Sequence, residues 1–81
     1  MTFLDMYSKD LTKLGLRIRQ QRKQLGLTQE DLAHKAAIDR SYIGGVERGE
    51  RNMTFKVLCS ICDALDCDVA TLTKGIPGAA Q

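Results

Sequence analysis

Three cysteines, Cys59, Cys62 and Cys67, are the residues whose type and spacing could bind a metal or carry redox chemistry. A tetrahedral zinc site needs four nitrogen or sulfur ligands, and the only histidine, His34, is far away in the sequence. An odd number of cysteines also argues against a disulfide framework. Because Cys59 and Cys62 fall within an apolar helical repeat, we predict that they pack as small hydrophobes. No metal and no cofactor are expected, and metal or redox chemistry is the alternative.

Catalytic chemistry is not expected either. One histidine and scattered acids provide no general base beside a nucleophile, so no catalytic residue is predicted and the chain is not expected to be an enzyme. No apolar run approaches the roughly 18–20 residues that span a bilayer. The N-terminus, MTFLDMYSKD, has acids where a secretory signal has basic and apolar residues. We therefore expect a cytoplasmic protein with no membrane partner.

The basic residues are concentrated in the middle of the chain. Residues 13–51 carry nine Lys and Arg against five Asp and Glu, a net charge of +4, and the remainder carries three against five, a net charge of −2. This division suggests one face turned toward a polyanion and another turned away from it. Two ordinary solvated surfaces would give the same division, so charge alone leaves both interpretations open.

Apolar residues at helical spacing predict five short helices and an all-α fold in a single domain of 81 residues. The predicted helices cover about 10–25, 29–36, 40–48, 55–65 and 69–72. Thr28, Asp39 and Thr54 are the expected N-caps, and Gly26 and Gly49 end the first and third helices. Residues 1–8 are expected to be an N-terminal arm, 9–74 the domain and 75–81 a C-terminal tail.

The segment TQEDLAHKAAIDRSYIGGVERG joins the second and third helices through only about three residues, Ala37 to Asp39. So short a link forces a steep crossing, for which the helix-turn-helix is the well-known solution. The crossing needs a small residue, which Ala33 supplies. The surrounding positions need apolar residues, and these are Leu32, Ile38, Ile43 and Val46. We predict a helix-turn-helix unit over about 28–48.

On these residues the chain resembles the phage-repressor and Cro-like DNA-binding domains of the xenobiotic-response-element type, from about Leu11 to Leu72. The stretch Asp39-Arg-Ser-Tyr-Ile-Gly-Gly-Val-Glu-Arg-Gly, with Arg51-Asn52, is similar to the controller proteins of bacterial restriction–modification systems. Two positions depart from the family: Ala37, where glycine is usual in the turn, and Gln21, which is often apolar.

The resemblance implies a five-helix, lambda-repressor-like fold and a homodimeric transcriptional regulator that binds a palindromic operator. The implied partners are double-stranded DNA and a second copy of the chain, with no small-molecule ligand. The implied location is the bacterial or phage-infected cytoplasm, at the nucleoid when bound. An antitoxin-like or other protein-interaction module with the same fold is the alternative.

The resemblance also implies that the start of the third helix reads base edges in the major groove. Arg40 can donate a fork of hydrogen bonds to guanine, and Ser41 can pair with several base edges or with phosphate. Tyr42 packs on a thymine methyl or reaches a phosphate. The expected phosphate contacts are Thr28, Gln29, Gly44, Arg48, Arg51, Asn52 and Arg17. For Arg17 a solvated helix flank is the alternative.

Two further features are structural. In the family, the positions of Arg22 and Glu47 form a partly buried ion pair between the first and third helices. Gly44 and Gly45 cost the third helix about 0.8–1 kcal/mol each against alanine, and close approach to DNA or to the second helix is the expected reason. Residues 55–76 are the expected dimerisation region, with closure of the monomer core as the alternative. Its expected contact residues are Leu65, Val69, Leu72 and Ile76.

Overall fold

The structure, a computed structural model, describes residues 3–78, with side chains from Lys9 onward. Within this part of the chain there are five helices and no strand, so the predicted all-α fold is confirmed. The helices are α1 (Phe3–Gln24), α2 (Gln29–Ala36), α3 (Arg40–Glu47), α4 (Phe55–Ala64) and α5 (Val69–Thr73). The bounds of α2 to α5 agree with the predicted ones to within one residue.

The first helix is longer than predicted. It begins at Phe3, so the N-terminal arm expected over residues 1–8 is wrong for residues 3–8, which belong to α1. The stretch FLDMYS contains neither glycine nor proline, and nothing in it interrupts a helix that forms downstream. Residues 1 and 2 lie outside the described residues.

The predicted C-terminal tail is attached to α1 over the part that the structure describes. The N–H of Gly78 donates to Asp10 Oδ1 at 3.0 Å, and Lys13 Nζ donates to the carbonyl of Gly75 at 3.4 Å. Ile76 packs against the core between these two bonds. The prediction of a tail is therefore wrong for residues 75–78, and residues 79–81 lie outside the described range.

One apolar core lies between the helices. Leu25, which follows the end of α1 at Gln24, is exposed and lies outside this core. The core residues are Leu14, Ile18, Leu32, Ala33, Ala36, Ile43, Val46, Leu58, Ile61, Cys62, Ala64, Leu65 and Leu72. Leu65 and Leu72 have almost no exposed surface in the single chain, so their prediction as dimer contacts is wrong. The alternative, closure of the monomer core, accounts for these two.

The cysteines are part of this packing. Cys62 is buried, as predicted, and Cys59 and Cys67 are half-buried; all three are free thiols. Burial, and then the neighbouring Cys67 thiol, raises the pKa of Cys62 to about 12. Among the side chains that the structure describes, residues 9–78, no three His, Cys, Asp or Glu are grouped closely enough to hold a metal ion.

Side-chain caps start the short helices where the sequence predicts them. Thr28 Oγ1 accepts from the N–H of Asp31 at 3.0 Å, and Asp31 Oδ2 accepts from the N–H of Thr28 at 2.9 Å. In this reciprocal capping box, the Asp31 carboxylate accepts from the N–H of Thr28 and, as a smaller contribution, from the Thr28 side chain; these bonds lower the pKa of Asp31 because they favour the ionised form. Asp39 and Thr54 cap α3 and α4 through a side chain that accepts from a backbone N–H, without a reciprocal bond, and Asp68, which was not predicted, caps α5 in this simpler way.

Four helices end at a residue in the left-handed conformation, which turns the chain sharply back. The 3.1 Å bond from Leu27 N–H to the Arg22 carbonyl is typical of these ends. The left-handed residues are Gly26, Ala37, Gly49 and Asp66, at φ of 72°, 56°, 76° and 55°. Glycine adopts this conformation without penalty, whereas a left-handed backbone costs Ala37 about 1 kcal/mol.

Helix α1 and the end of α3 are in backbone contact. A Cβ on Gly15 would lie 2.3 Å from the carbonyl oxygen of Val46, and a Cβ on Gly49 would lie 2.6 Å from Thr12 Cα. Neither position can carry a side chain unless the two helices separate. Gly15 was not predicted to lie at a helix crossing, although a glycine within a helix, far from either end, is a signal of one.

The ion pair that the resemblance implies is present beside this contact. Arg22 Nε lies 2.7 Å from Glu47 Oε2, and Arg22 Nη2 lies 3.0 Å from Oε1, in a bidentate arrangement. Arg22 Nη1 also donates to the carbonyl of Leu27 at 2.7 Å. Both side chains are buried, and the hydrogen bond to Glu47 raises the pKa of Arg22. The pair ties the end of α1 to the end of α3.

Ala37→Gly is expected to stabilise the protein by about 0.5–1 kcal/mol, because glycine removes the strain of the left-handed backbone. Ala37 is exposed, so little packing is lost. The free energy of unfolding from urea titration measures the effect. Ala70→Gly, at an exposed helical position, is the control and is expected to destabilise by up to about 1 kcal/mol. Equal destabilisation by both variants would contradict the prediction.

Glu47→Ala is expected to lower the free energy of unfolding by about 3–5 kcal/mol, because it leaves the Arg22 charge buried without a partner. The matched control is Glu50→Ala, which breaks an exposed pair with Arg48 whose side chains are 61% and 60% accessible. That change is expected to cost less than about 1 kcal/mol. Urea unfolding of both variants gives the comparison, and a similar small loss in each would refute a structural role for Glu47.

Candidate nucleic-acid interface

Helix α3 presents its first residues to solvent. Arg40 and Ser41 are exposed, whereas Ile43 and Val46 on the opposite side are buried in the core. Tyr42 is half-buried and packs against the core with part of its ring. The predicted base-reading residues thus lie together at the exposed start of α3.

Asp39 fixes the start of α3. Its Oδ2 accepts from the N–H of Ser41 at 3.0 Å and also from the Ser41 hydroxyl. These bonds, with the hydroxyl contributing most, lower the pKa of Asp39 because they favour the ionised carboxylate. The cap therefore anchors both the backbone and the side chain of Ser41 beside Arg40.

The start of α2 lies next to the exposed tip of α3. An open groove connects the end of α1, the start of α2 and Arg40, and Lys23, Thr28 and Gln29 contribute to its walls. The first N–H groups of a helix and the positive end of its dipole favour an anion. Two basic side chains, Lys23 and Arg40, thus flank an end of α2 that is suited to phosphate.

Gln29 is held by the buried ion pair. Its Nε2 donates to Glu47 Oε1 at 3.1 Å, the same oxygen that accepts from Arg22. One amide hydrogen is used in this bond, and the second is available to a ligand. The ion pair between α1 and α3 therefore also orients the first residue of α2.

Arg48 lies on the same side of α3 as Gln29. A Cβ on Gly44 would be 3.1 Å from Arg48 Nη1 and 3.7 Å from Gln29 Oε1. Arg48 Nε is 3.1 Å from Glu50 Oε1 in an exposed ion pair. The structure therefore brings Gln29 and Arg48, two of the predicted phosphate contacts, together over Gly44, which is buried beneath them.

Arg51 lies against the other side of the helix, and Asn52 follows it as an exposed residue. The Arg51 Cζ atom is 5.3 Å from the centroid of the Tyr42 ring, within the range of a cation–π interaction. Nothing in the sequence predicts this pairing, because the two residues belong to different elements. Its geometry depends on the turn that ends α3.

One predicted phosphate contact is wrong. Arg17 Nη1 donates to the carbonyl of Leu72 at 3.1 Å, so this guanidinium caps the end of α5. Gln21, one turn further along α1, donates in the same way to the carbonyl of Leu65 at 3.3 Å. This face of α1 packs against the C-terminal helices, away from α3. Gln21, polar where the family is often apolar, thus satisfies the end of α4.

None of the helices within residues 3–78 combines the length and the apolar character that crossing a bilayer requires.

Comparison with known proteins finds relatives among control proteins and transcriptional regulators. The chain is 41% identical over 59 residues to the control protein C.SmaI of Serratia marcescens, an alignment that covers 73% of this chain and 70% of that protein. It is 37% identical over 60 residues to the transcriptional regulator SinR of Bacillus subtilis, which covers 73% of this chain and 54% of SinR.

Solved structures of controller proteins share the fold. The restriction–modification controller protein C.AhdI of Aeromonas hydrophila superposes with a TM-score of 0.78 and 45% identity, covering 79% of this chain and 97% of that one. The C.Esp1396I tetramer bound to its natural 35 base-pair operator gives a TM-score of 0.72 and 39% identity, covering 89% and 87% of the two chains. The helix-turn-helix family model matches residues 18–72, more than half of the chain. This chain belongs to the helix-turn-helix family of the phage-repressor and Cro-like type.

Proposed function

We propose that this protein is a sequence-specific DNA-binding transcriptional regulator in which α3 is the recognition helix. The observation that carries the proposal is the exposed start of α3, with Arg40 beside the anion-favouring end of α2 and Arg48 on the same surface. A protein that contacts DNA bases needs an exposed helix start of this kind, with basic side chains on either side of it that contact the phosphates.

The proposed contacts divide into two classes. Arg40 donates to guanine O6 and N7, Ser41 meets a neighbouring base edge, and Tyr42 meets a base edge or a phosphate. A second group contacts phosphates and sets the position of α3 without reading sequence. Its members are Thr28, Gln29, Arg48, Arg51 and Asn52. Gly44, also predicted as a phosphate contact, is not among them because it is buried beneath Arg48. Arg17 is no longer among them because it binds the end of α5.

We further propose that the protein controls a restriction–modification system from a palindromic operator, acting in the bacterial cytoplasm and at the nucleoid when bound. The 41% identity to C.SmaI and the 45% identity to C.AhdI support this role. The C.Esp1396I tetramer on its 35 base-pair operator supports DNA and further copies of the chain as partners. In a dimer, two copies of α3 about 34 Å apart would match one turn of DNA. The proposed DNA-binding domain, predicted over 9–74, extends to the described residues 3–78, with 55–76 for dimerisation.

Arg40→Ala is expected to cost about 1–3 kcal/mol of binding free energy on the preferred operator and to relax the sequence preference at one position.

Arg48→Ala is expected to weaken binding to all DNA sequences and to lower the slope of log affinity against log salt by about 1. Selection from a random DNA pool defines the operator. Titration of operator and random duplexes at several salt concentrations then measures both effects.

Lys9→Ala, an exposed lysine on α1 outside the dimerisation region, is the control and should change neither affinity nor slope. If Arg40→Ala reduces binding to operator and random DNA equally, Arg40 is a phosphate contact and not a reader of bases. A salt slope near zero for the unmodified protein would favour the protein-interaction module over the DNA-binding regulator, because phosphate contacts must release counterions.

The surface predicted for self-association must be revised, because Leu65 and Leu72 lie inside the core of the single chain. Val69 and Ile76 are half-buried and keep part of their surface. Phe55, at the start of α4, is 69% exposed and was not singled out from the sequence. An aromatic residue this exposed, within the proposed dimerisation region, supports a contact with a second copy.

Phe55→Lys is expected to raise the dimer dissociation constant at least about tenfold, because burying a phenylalanine contributes about 1.5–3 kcal/mol. Leu16→Lys is the matched control: Leu16 is 50% exposed but lies on α1, outside the dimerisation region. Sedimentation equilibrium of both variants measures the constants. An unchanged constant for Phe55→Lys, or an equal increase in the two variants, would reject Phe55 as a dimer contact.

A further inference from the structure

Gly44 and Gly45 have no side chains, yet both are buried on the side of α3 that does not pack into the core. Two arginines from beyond the helix cover them. Arg48 Nη1 lies over Gly44, and Arg51 lies over Gly45. The expected reason for these glycines, close approach to DNA or to α2, is therefore incomplete, because arginine side chains already occupy the space that a Cβ would fill.

The fit between Gly45 and Arg51 is the closer one. A Cβ on Gly45 would be 3.0 Å from Arg51 Cγ and 3.2 Å from Nε, so the middle of the arginine side chain lies directly on the helix backbone. Beyond that point the guanidinium lies over the Tyr42 ring, with 5.3 Å between Cζ and the ring centroid. Tyr42 and Gly45 are one turn apart on the helix, and together they form a continuous seat for Arg51.

The end of α3 explains how Arg51 reaches this seat. Gly49 is left-handed at φ 76°, and the N–H of Glu50 donates to the carbonyl of Gly45 at 2.9 Å. This bond reverses the chain, so the residue after Glu50 starts beside Gly45. Gly49 is in turn packed against Thr12 of α1, which fixes the direction of the turn.

We propose that Gly45 and Tyr42 are positioning residues that hold Arg51 ready for the DNA backbone. The inference rests on the proposed function and assigns these two residues a role that acts through Arg51. An arginine already held in one conformation loses less rotamer freedom when it binds phosphate than a free side chain does. Tyr42 then contributes one ring face to Arg51, and its hydroxyl remains available for a separate contact.

Gly45→Ala separates this role from a purely structural one. Alanine favours the helix, so the melting temperature is expected to be unchanged or raised. The added Cβ displaces the exposed Arg51 side chain, so affinity is expected to fall about 3- to 10-fold on operator and random DNA alike. In an Arg51→Ala background, Gly45→Ala is expected to have no further effect on affinity.

Two variants of Tyr42 give an independent measurement without DNA. The ring is expected to shift the NMR resonances of the Arg51 side-chain protons upfield in the free protein, because the guanidinium lies over it. Tyr42→Phe is expected to keep that shift because it keeps the ring, and Tyr42→Leu is expected to abolish it. On DNA, Tyr42→Leu is expected to bind more weakly than Tyr42→Phe, and this difference should vanish in the Arg51→Ala background.

Several outcomes would overturn the proposal. One is a Gly45→Ala variant that melts at a lower temperature and loses the same affinity with or without Arg51, which would make Gly45 a packing residue. Another is unchanged affinity in Gly45→Ala while the unmodified protein binds with a clear salt dependence. If the unmodified protein does not bind DNA at all, the proposed function fails, and the NMR shift still reports whether Arg51 is seated on Tyr42.

Discussion

The ion pair between Arg22 and Glu47 connects the three elements on which the exposed surface of α3 depends. It joins the ends of α1 and α3, and Glu47 Oε1 also accepts from Gln29 at the start of α2. A buried ion pair is often no more stabilising than an apolar pair of similar volume. An apolar replacement could restore stability, but it would leave Gln29 without its acceptor. The value of the pair lies in the orientation that it gives to α2.

The way in which the helices end determines which side chains lie beside α3. Each left-handed end reverses the chain within a few residues, so 8- to 10-residue helices can cross steeply and still share one core. At α3 the same reversal returns the chain alongside the helix and brings Arg51 back to Tyr42. Gly15 and Gly49 allow α1 to support this turn by direct backbone contact. The conformation of the scaffold and the placement of the arginines are therefore set by the same residues.

Local signals predicted most of the fold, because caps, helical spacing and short links act within a few residues. The bounds of α2 and the Thr28 capping box are examples. Contacts between distant elements were the part that failed. Arg17 faces α5, and Leu65 and Leu72 close the core. The extension of α1 over residues 3–8 is a local feature that the prediction also missed. A sequence shows which residues are basic or apolar, but the tertiary packing decides whether an arginine points to a helix end or to solvent.

The short cap at the start of α3 restricts what Ser41 can recognise. An ionised carboxylate only accepts hydrogen bonds, so the Ser41 hydroxyl has given its single hydrogen to Asp39. Toward DNA, the Ser41 oxygen can therefore only accept a hydrogen bond, through its lone pairs. Of the groups in the major groove, the exocyclic amines of adenine and cytosine supply a hydrogen, whereas the guanine carbonyl and the purine N7 do not. While the cap is intact, the Ser41 hydroxyl can accept a hydrogen bond from an amino group but cannot donate one to an acceptor such as the guanine edge proposed for Arg40.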